Sequence, residues 1–423
     1  MATLRASRML DPAIESQSPE VRRRYLSARL ERTVASAFEN ASRVRHVLGQ
    51  AGLGPRDVAT LEDLRKIPVL RKDALPGLQA EEPPFGGLNG VSPGRLARIF
   101  MSPGPIYDPQ GDTPDFWRFR HALAATGFRA GEVVHNAASY HLTPLGFMLD
   151  GAARALGCAV IPAGVGQTEL QVKVAHHLRA TAYLGTPSFL HALLGKAREA
   201  GTPLSIEVAH VVAEMLPESL RADLETGFGV RVLQSYGTAD LGCLAYECPE
   251  KGGWHLHPEA IVEVLDLETR EAAAPGQPGE VVATIFDEAY PLLRFATGDL
   301  SMIAPGGPCP CGRTTPKLAG LLGRVGDGVK VKGMFVRAGQ IGDVLKRFPE
   351  VARWQAVVTR ADHQDHLAYS VELGAPAGDP TSLVSRIAEA LREEVKVRGE
   401  VKVVKPGAIP EGAKKIDDRR VWK

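Results

Sequence analysis

The sequence has no excess of either charge sign: 50 lysines and arginines meet 49 aspartates and glutamates, leaving a formal +1 over 423 residues. That balance gives no electrostatic case for nucleic acid or an anionic membrane as the main partner. It also has no apolar run long enough to span a bilayer. The opening stretch MATLRASRMLDPAIESQSPEVRRRY has no apolar core of signal-peptide length, and acidic residues soon follow its basic, Ser-bearing start. The expectation is a cytoplasmic protein. Internal repeats and low-complexity tracts are absent too. Cysteine is scarce and odd in number, at five, and two of the five form the tight pair Cys309-Pro310-Cys311. Neighbours one residue apart are poorly placed to bond each other, so metal binding in a reducing compartment is the better reading.

What is present is a soluble globular composition, 44% hydrophobic and 23% charged, on a chain too long for one ordinary core. Residues 19–50 place apolar positions at helical spacing and end in Gly52 and Gly54. Residues 132–210 alternate apolar, β-branched runs (Cys158–Pro162, Thr181–Leu184) with helical stretches at 168–178 and 187–199, which argues a parallel α/β layer. Residues 260–305 alternate between Pro- and Gly-rich turns, as a smaller antiparallel β subdomain would. From Gly323 onward the pattern predicts a compact α+β unit with helices over Ala338–Phe348 and Thr381–Val395. The fold class is α/β: a large N-terminal domain over 1–322 with a β subdomain at about 243–315, a hinge at 323–328, and a small α+β domain over 329–423.

Several segments, in order, resemble the phenylacetate–CoA ligase group of adenylate-forming enzymes. Leu61–Pro68 followed by Arg71-Lys72-Asp73 is similar to that group's lead-in. Ser235-Tyr-Gly-Thr-Ala-Asp240 resembles its Tyr-Gly-x-Ser/Thr-Glu motif, and Arg294-Phe-Ala-Thr-Gly-Asp299 its Arg-Tyr-x-Thr-Gly-Asp motif. Gly323-Arg324 through Gly333 and Gln340-Ile341 resembles the hinge motif. Ile409–Gly412 through Asp418 and Arg420 resembles the ending that carries the catalytic lysine. The ordered set covers almost the whole chain, and each motif alone is short.

The resemblance implies a two-step ligase. A carboxylate attacks ATP to give acyl-AMP and pyrophosphate, and CoA then displaces AMP. It further implies nucleotide contacts from Ser102, Gly104, Glu214, Tyr236, Gly237, Thr238, Asp240, Asp299 and Arg324. Asp299 suits the ribose, because a carboxylate can accept from both hydroxyls, and Tyr236 offers a flat ring for adenine. Arg324 is a fixed cation for ribose or phosphate. Asp240 stands where the family keeps a Glu that helps hold Mg2+, and an oxygen ligand suits that hard ion. Tyr140 and His141, after a predicted strand, are placed in the acid pocket. Gly326 falls at the pivot, where glycine adopts both backbone states at little steric cost. Against these stand ordinary roles: a turn at Asp299, a core ring at Tyr236, a surface ion pair at Arg324.

The sequence departs from the family pattern where phosphate is handled. The family's loop is rich in Ser, Thr and Gly, and a lysine follows it. Here the stretch is Met101-Ser-Pro-Gly-Pro-Ile-Tyr-Asp-Pro-Gln110, whose three prolines remove N–H donors, and no lysine follows. The hydroxyl residue expected before Asp240 is Ala239. The catalytic lysine falls on Lys414 with a one-residue gap, and Lys415 is the fallback.

Cys248, His255, Cys309 and Cys311 offer three thiolates and one imidazole, a closed set for structural zinc, and members of the resembled group are expected to carry a metal here. The two halves flank the expected β subdomain, so one ion would staple its ends. The reading is thus an acid–thiol ligase acting on an aryl or small organic acid, ATP/Mg2+ and CoA, with Zn2+ as a structural ion and a homodimer compatible with the resemblance. Its competitors are an ATP-independent acyl-CoA hydrolase or acyl transferase on the same fold, and a non-catalytic protein that binds nucleotide or acyl-CoA.

Overall fold

The structure, a computed structural model, describes residues 7–102, 105–325, 328–331, 334–361, 364–374 and 380–420. The chain divides into two compact units, one of Met1–Thr297 with Met302–Gly320, the other of Gly298–Ser301 with Leu321–Lys423.

The first unit begins with helices. Ser18 accepts from the Val21 N–H and Pro19 stands at the first turn, so the helix Pro19–Asn40 starts there. Its buried stripe of Leu26, Leu30, Val34 and Ala37 has helical spacing. Where one helical stretch to residue 50 was expected, Ala41 turns extended (φ −108, ψ 110) and a second helix, Ser42–Gln50, follows.

The centre of this unit is an eight-stranded sheet. Ala159–Pro162, Val133–Asn136, Ala182–Gly185, Val208–Val211 and Arg231–Thr238 lie side by side and parallel. The middle strands Ala182–Gly185 and Val208–Val211 are buried at every position, which is why Ala182–Gly185 reads as an apolar run rather than an alternation, while Val208–Val211 carries the buried His210. Crossover helices Leu145–Ala155, Thr168–His177 and Pro187–Glu199 supply the alternation seen in the sequence.

The strand order corrects one expectation. Gly242–Tyr246, Trp254–Leu256 and Lys317–Leu318 continue the large sheet in antiparallel sense. The expected β subdomain at about 243–315 is therefore not one body: only its middle, Ala260–Leu265, Gly279–Ile285 and Phe295–Ser301, forms a sheet of its own. Leu70–Arg71 adds to that sheet in parallel with Phe295 and Ala296.

A buried polar network ties the N-terminal segment to this unit. Glu15 accepts from Arg313 Nε (2.6 Å), from the Tyr246 hydroxyl (2.9 Å) and from the Leu10 N–H (2.6 Å), and lies 3.2 Å from His121 Nδ1. Burial alone would raise the Glu15 carboxyl, but the His121 hydrogen bond and the Arg313 charge hold it at about 2. The His121 hydrogen bond likewise holds Glu259 at about 2. Burial opposes charge on His121, yet Glu15 and Glu259 lift its imidazolium to about 9. The raised histidine contributes stability that is complete below its unfolded pKa near 6.5 and fades as pH climbs through 9. The two depressed carboxylates contribute stability above their unfolded pKa near 4.5 that fades as pH falls through 2. The contribution of this network should therefore be greatest between about pH 4.5 and 6.5. A His121→Asn scan by calorimetry should lie lower and lose the decline between pH 6.5 and 9; an unchanged decline would reject this assignment.

In the second unit, a sheet ordered Glu400–Val404, Gln364–Leu373, Val351–Ala361, Ile416–Asp418 packs with the helices Ala338–Leu345 and Pro380–Val395. Val331, Val336, Ile341, Val344, Ala356, Val358, Val371, Ile387 and Leu391 fill its core with no exposure or nearly none. The short hairpin partner Met334–Arg337 and the final strand Ile416–Asp418 were not anticipated.

Candidate functional site

The stretch expected to wrap phosphate is a β-hairpin. Arg98–Ser102 pairs antiparallel with Ile106–Gln110, Phe100 facing Asp108 and Ser102 facing Ile106. Opposed residues of such a pair share a face, so Phe100, Ser102, Ile106 and Asp108 all turn inward and are buried. Ile99, Met101 and Tyr107 turn outward. Gly104 lies outside the described residues.

Asp240 meets this inner face. Its side chain is fully buried and holds Lys72 Nζ at 2.6 Å, Lys72 being a quarter exposed. Pairing of Leu70–Arg71 with the strand Phe295–Ser301 delivers Lys72 to this place. Asp108, 1% exposed, lies beside Asp240, Lys72, Ser102 and Tyr290. Burial, and then the charge of Asp240, push the Asp108 carboxyl upward. Sequence reasoning missed both Lys72 and Asp108. Lys72 carried a signal, standing in the Arg-Lys-Asp of the lead-in; Asp108 carried only its alternation with Phe100, Ser102 and Ile106.

The rest of the Tyr-Gly motif holds the backbone in shape. Thr238 Oγ1 accepts from the Leu241 N–H at 3.1 Å, and Trp117 Nε1 donates to the Ala239 carbonyl at 3.2 Å. At Gly237, a Cβ would sit 2.3 Å from the Gly242 carbonyl oxygen, so only glycine fits the irregular pairing there. Tyr236 is 4% exposed, stacked on Trp254 (6.0 Å, 14°), with its hydroxyl 3.1 Å from Thr297 Oγ1. The ring sits in the core, stacked against Trp254 from two strands along the sheet. Glu214 is exposed and receives the Ser188 N–H at 3.3 Å, near the start of the helix Pro187–Glu199.

Asp299 is 6% exposed and is paired across strands with Arg324, whose Nε lies 2.8 Å from its carboxylate. The arginine itself is largely exposed, at 63%. Gly326, the expected pivot, lies outside the described residues.

Tyr140 and His141 do not act as a pair. The Tyr140 hydroxyl receives Asn136 Nδ2 at 2.7 Å and its ring meets Phe147 edge-on at 5.0 Å, whereas His141 is exposed. Gly146 lets Tyr140 in, since a Cβ there would lie 2.8 Å from its ring.

The lysines differ in one contact. Ala356 donates to the Lys415 carbonyl at 2.8 Å and Gln355 Nε2 to the Lys414 carbonyl at 2.9 Å, fixing the backbone. Both side chains are exposed, and Lys415 Nζ in addition sits 5.0 Å over the Trp354 ring.

Four metal-capable side chains converge at the edge of the large sheet. The ligand atoms of Cys248, His255, Cys309 and Cys311 all lie within 4.8 Å of one another. Cys248 and Cys309 sulfurs are 3.7 Å apart, and Cys311 Sγ is 3.4 Å from His255 Nε2. His255 Nδ1 lies 3.1 Å from the Thr315 carbonyl, so Nδ1 carries the proton and Nε2 faces the thiols. Burial holds the imidazole neutral, at about 4. His257 is turned away, 3.0 Å from the Arg118 carbonyl. The cluster joins the end of one strand to the segment before Lys317–Leu318, rather than stapling the ends of a separate subdomain.

Residues 118–284 match the family model of the AMP-binding enzyme, and residues 333–421 that of the AMP-binding enzyme C-terminal domain. The chain is 33% identical to the phenylacetate–coenzyme A ligase of Thermus thermophilus, over 96% of this chain and 98% of that one. It is 28% identical to the Escherichia coli enzyme of the same name, over 95% and 94%. Among solved structures, an open conformation of 2-hydroxyisobutyryl-CoA ligase with its acyl-AMP and CoA matches at TM-score 0.85 and 24% identity, over 97% of this chain and 95% of that one. At that identity the likeness is one of fold.

Proposed function

The chain belongs to the AMP-binding enzyme family and is a ligase of the adenylate-forming, CoA-dependent kind; from that premise we propose that it activates an aryl or small organic acid through acyl-AMP, using ATP, and transfers the acyl group to CoA. The observation that carries the use of ATP is the Lys72–Asp240 pair. The hairpin has lost donors to proline and has no following lysine, yet Lys72 brings an ammonium to the same place from the lead-in segment. A preorganised cation in a buried site stabilises phosphate charge far better than one in water. An acid panel supplied with ATP and CoA, assayed for thioester and AMP together, tests the reading. Thioester exchange without AMP release would favour the ATP-independent transferase, and acyl-CoA hydrolysis to free acid and CoA the hydrolase, readings to which the added carboxylate of Asp108 lends support.

Asp299 takes the ribose in this reading, with Arg324 steering the carboxylate between them. Charge-assisted hydrogen bonds are worth about 1.5–3 kcal/mol, so Asp299→Ala should weaken AMP binding by roughly tenfold to a hundredfold. Calorimetry giving equal AMP affinity would remove Asp299 from the site. Tyr140, held by Asn136 and Phe147, forms the ring wall of the acid pocket, and His141 contributes its backbone turn rather than its imidazole.

The cluster of Cys248, His255, Cys309 and Cys311 holds structural Zn2+, because three soft thiols and an oriented imidazole fit that ion. When bound, zinc supplies cross-linking of the sheet edge and no reaction chemistry. Metal analysis should find about one zinc per chain, and Cys309→Ser with Cys311→Ser should abolish it and lower the melting temperature. Unchanged zinc in that variant would reject the ligand set.

A further inference from the structure

We propose that Asp108, a residue of the hairpin that replaces the usual phosphate loop, is a second carboxylate ligand of a divalent-cation site shared with Asp240. The inference rests on reading Asp240 as part of the nucleotide site, and it gives that residue a partner. Asp240 offers its Oδ2 to Lys72, while its Oδ1 is buried with no hydrogen-bond partner among the described residues. By hydrogen-bond geometry the same holds for both carboxylate oxygens of Asp108, the Ser102 hydroxyl and the Tyr290 hydroxyl, although Ser102 and Asp240 lie near enough to act on the Asp108 carboxyl and Gln79 on Tyr290. These four residues are 1–5% exposed.

Buried polar atoms almost always have partners, and an unpaired carboxylate is the most costly exception. A proton shared between the two aspartates would satisfy one oxygen of each and leave the others unmet. A divalent cation satisfies several oxygens at once and answers the charge: two carboxylates and one ammonium leave −1, which the ion turns to +1. Hard oxygen donors of this kind suit Mg2+ or Mn2+, not zinc. The remaining groups around Asp108 are consistent with this. Among the described residues, the polar groups that act on Asp108 are Lys72, Asp240, Tyr290 and Ser102, with Gln79 occupied by the Tyr107 backbone. Lys72 is the only cation among them, and it is engaged on the far oxygen of Asp240. The same arrangement explains how a hairpin carrying an acid can face a triphosphate, since the ion makes the acid an anchor rather than a repulsion.

The test uses Mn2+ alone, without nucleotide, on the full zinc-loaded chain, read by the loss of free-ion paramagnetic resonance. Wild type should bind one Mn2+, Mg2+ should displace it, and Asp108→Asn should weaken binding at least tenfold. Lys72→Met should tighten it, because a competing ammonium beside the ion is gone; this second variant keeps the test alive should Asp108→Asn misfold. Equal Mn2+ binding in wild type and folded Asp108→Asn overturns the proposal, as does no binding of Mn2+ by wild type. Calorimetry with AMP on the same samples separates the two readings. AMP binding without Mn2+ binding defeats only the Asp108 ligand, and absence of AMP binding defeats the nucleotide site.

Discussion

Lys414→Ala is expected to slow acyl-AMP formation by about two to four orders of magnitude, while thioester formation from supplied acyl-AMP stays within a few-fold of wild type. The ground is geometric. The strand Ile416–Asp418 is anchored against Val351–Ala361, and Arg420 locks it through Asp418 (2.8 Å) and Asp365 (3.0 Å). Just before it, the backbone carbonyls of Lys414 and Lys415 are both held. Both lysines are exposed, but Lys415 lies over the Trp354 ring and Lys414 does not share that contact. An ammonium on a fixed backbone with a free side chain is what transient neutralisation of a reacting carboxylate and phosphate requires. Lys415→Ala should be the milder change, costing packing on Trp354. Rapid-quench measurement of the two half-reactions decides between them, and a larger adenylation defect in Lys415→Ala would exchange their roles.

The second large effect is expected at Lys72. Lys72→Met leaves the fully buried Asp240 without its cation. Breaking a wholly buried pair costs about 3–5 kcal/mol, and the quarter exposure of Lys72 moderates that figure. ATP-dependent turnover should fall by roughly a hundredfold to a thousandfold, the scale of losing one preorganised electrostatic group. Lys72→Arg keeps the charge and should recover part of it, which simple destabilisation would not. The informative measurement is kcat/KM for ATP beside that for CoA: an equal fall in both would point to folding rather than phosphate handling.

The alternation of strand and helix was legible because burial on both faces leaves a plain signature, as at Ala182–Gly185, whereas the buried His210 breaks that signature at Val208–Val211. The Cys/His cluster was legible because thiols are rare and few other roles suit Cys309-Pro310-Cys311. Sheet membership was not. Trp254–Leu256 and Lys317–Leu318 are far apart in sequence, and only their pairing reveals one sheet edge. Tyr236 illustrates a motif residue whose surroundings are non-local: Trp254 stacks on a ring that the motif alone would leave open. Lys72 and Asp108 were hidden for the same reason. Lys72 reaches Asp240 across 168 positions of sequence, and Asp108 faces inward only because the proline-rich stretch closes into a hairpin in one register. Short-range pattern reads faces and periods, while charge pairing is decided by topology.

On the proposed reading, this chain still activates its acid with ATP despite the altered phosphate hairpin. Exchange of radiolabelled pyrophosphate into ATP, measured without CoA across a panel of aryl and small organic acids, isolates that step. The expected result is exchange that depends on one class of acid and on Mg2+, and that is lost in Lys414→Ala. Exchange absent with every acid, from a chain that nonetheless turns over an acyl-CoA, would contradict it.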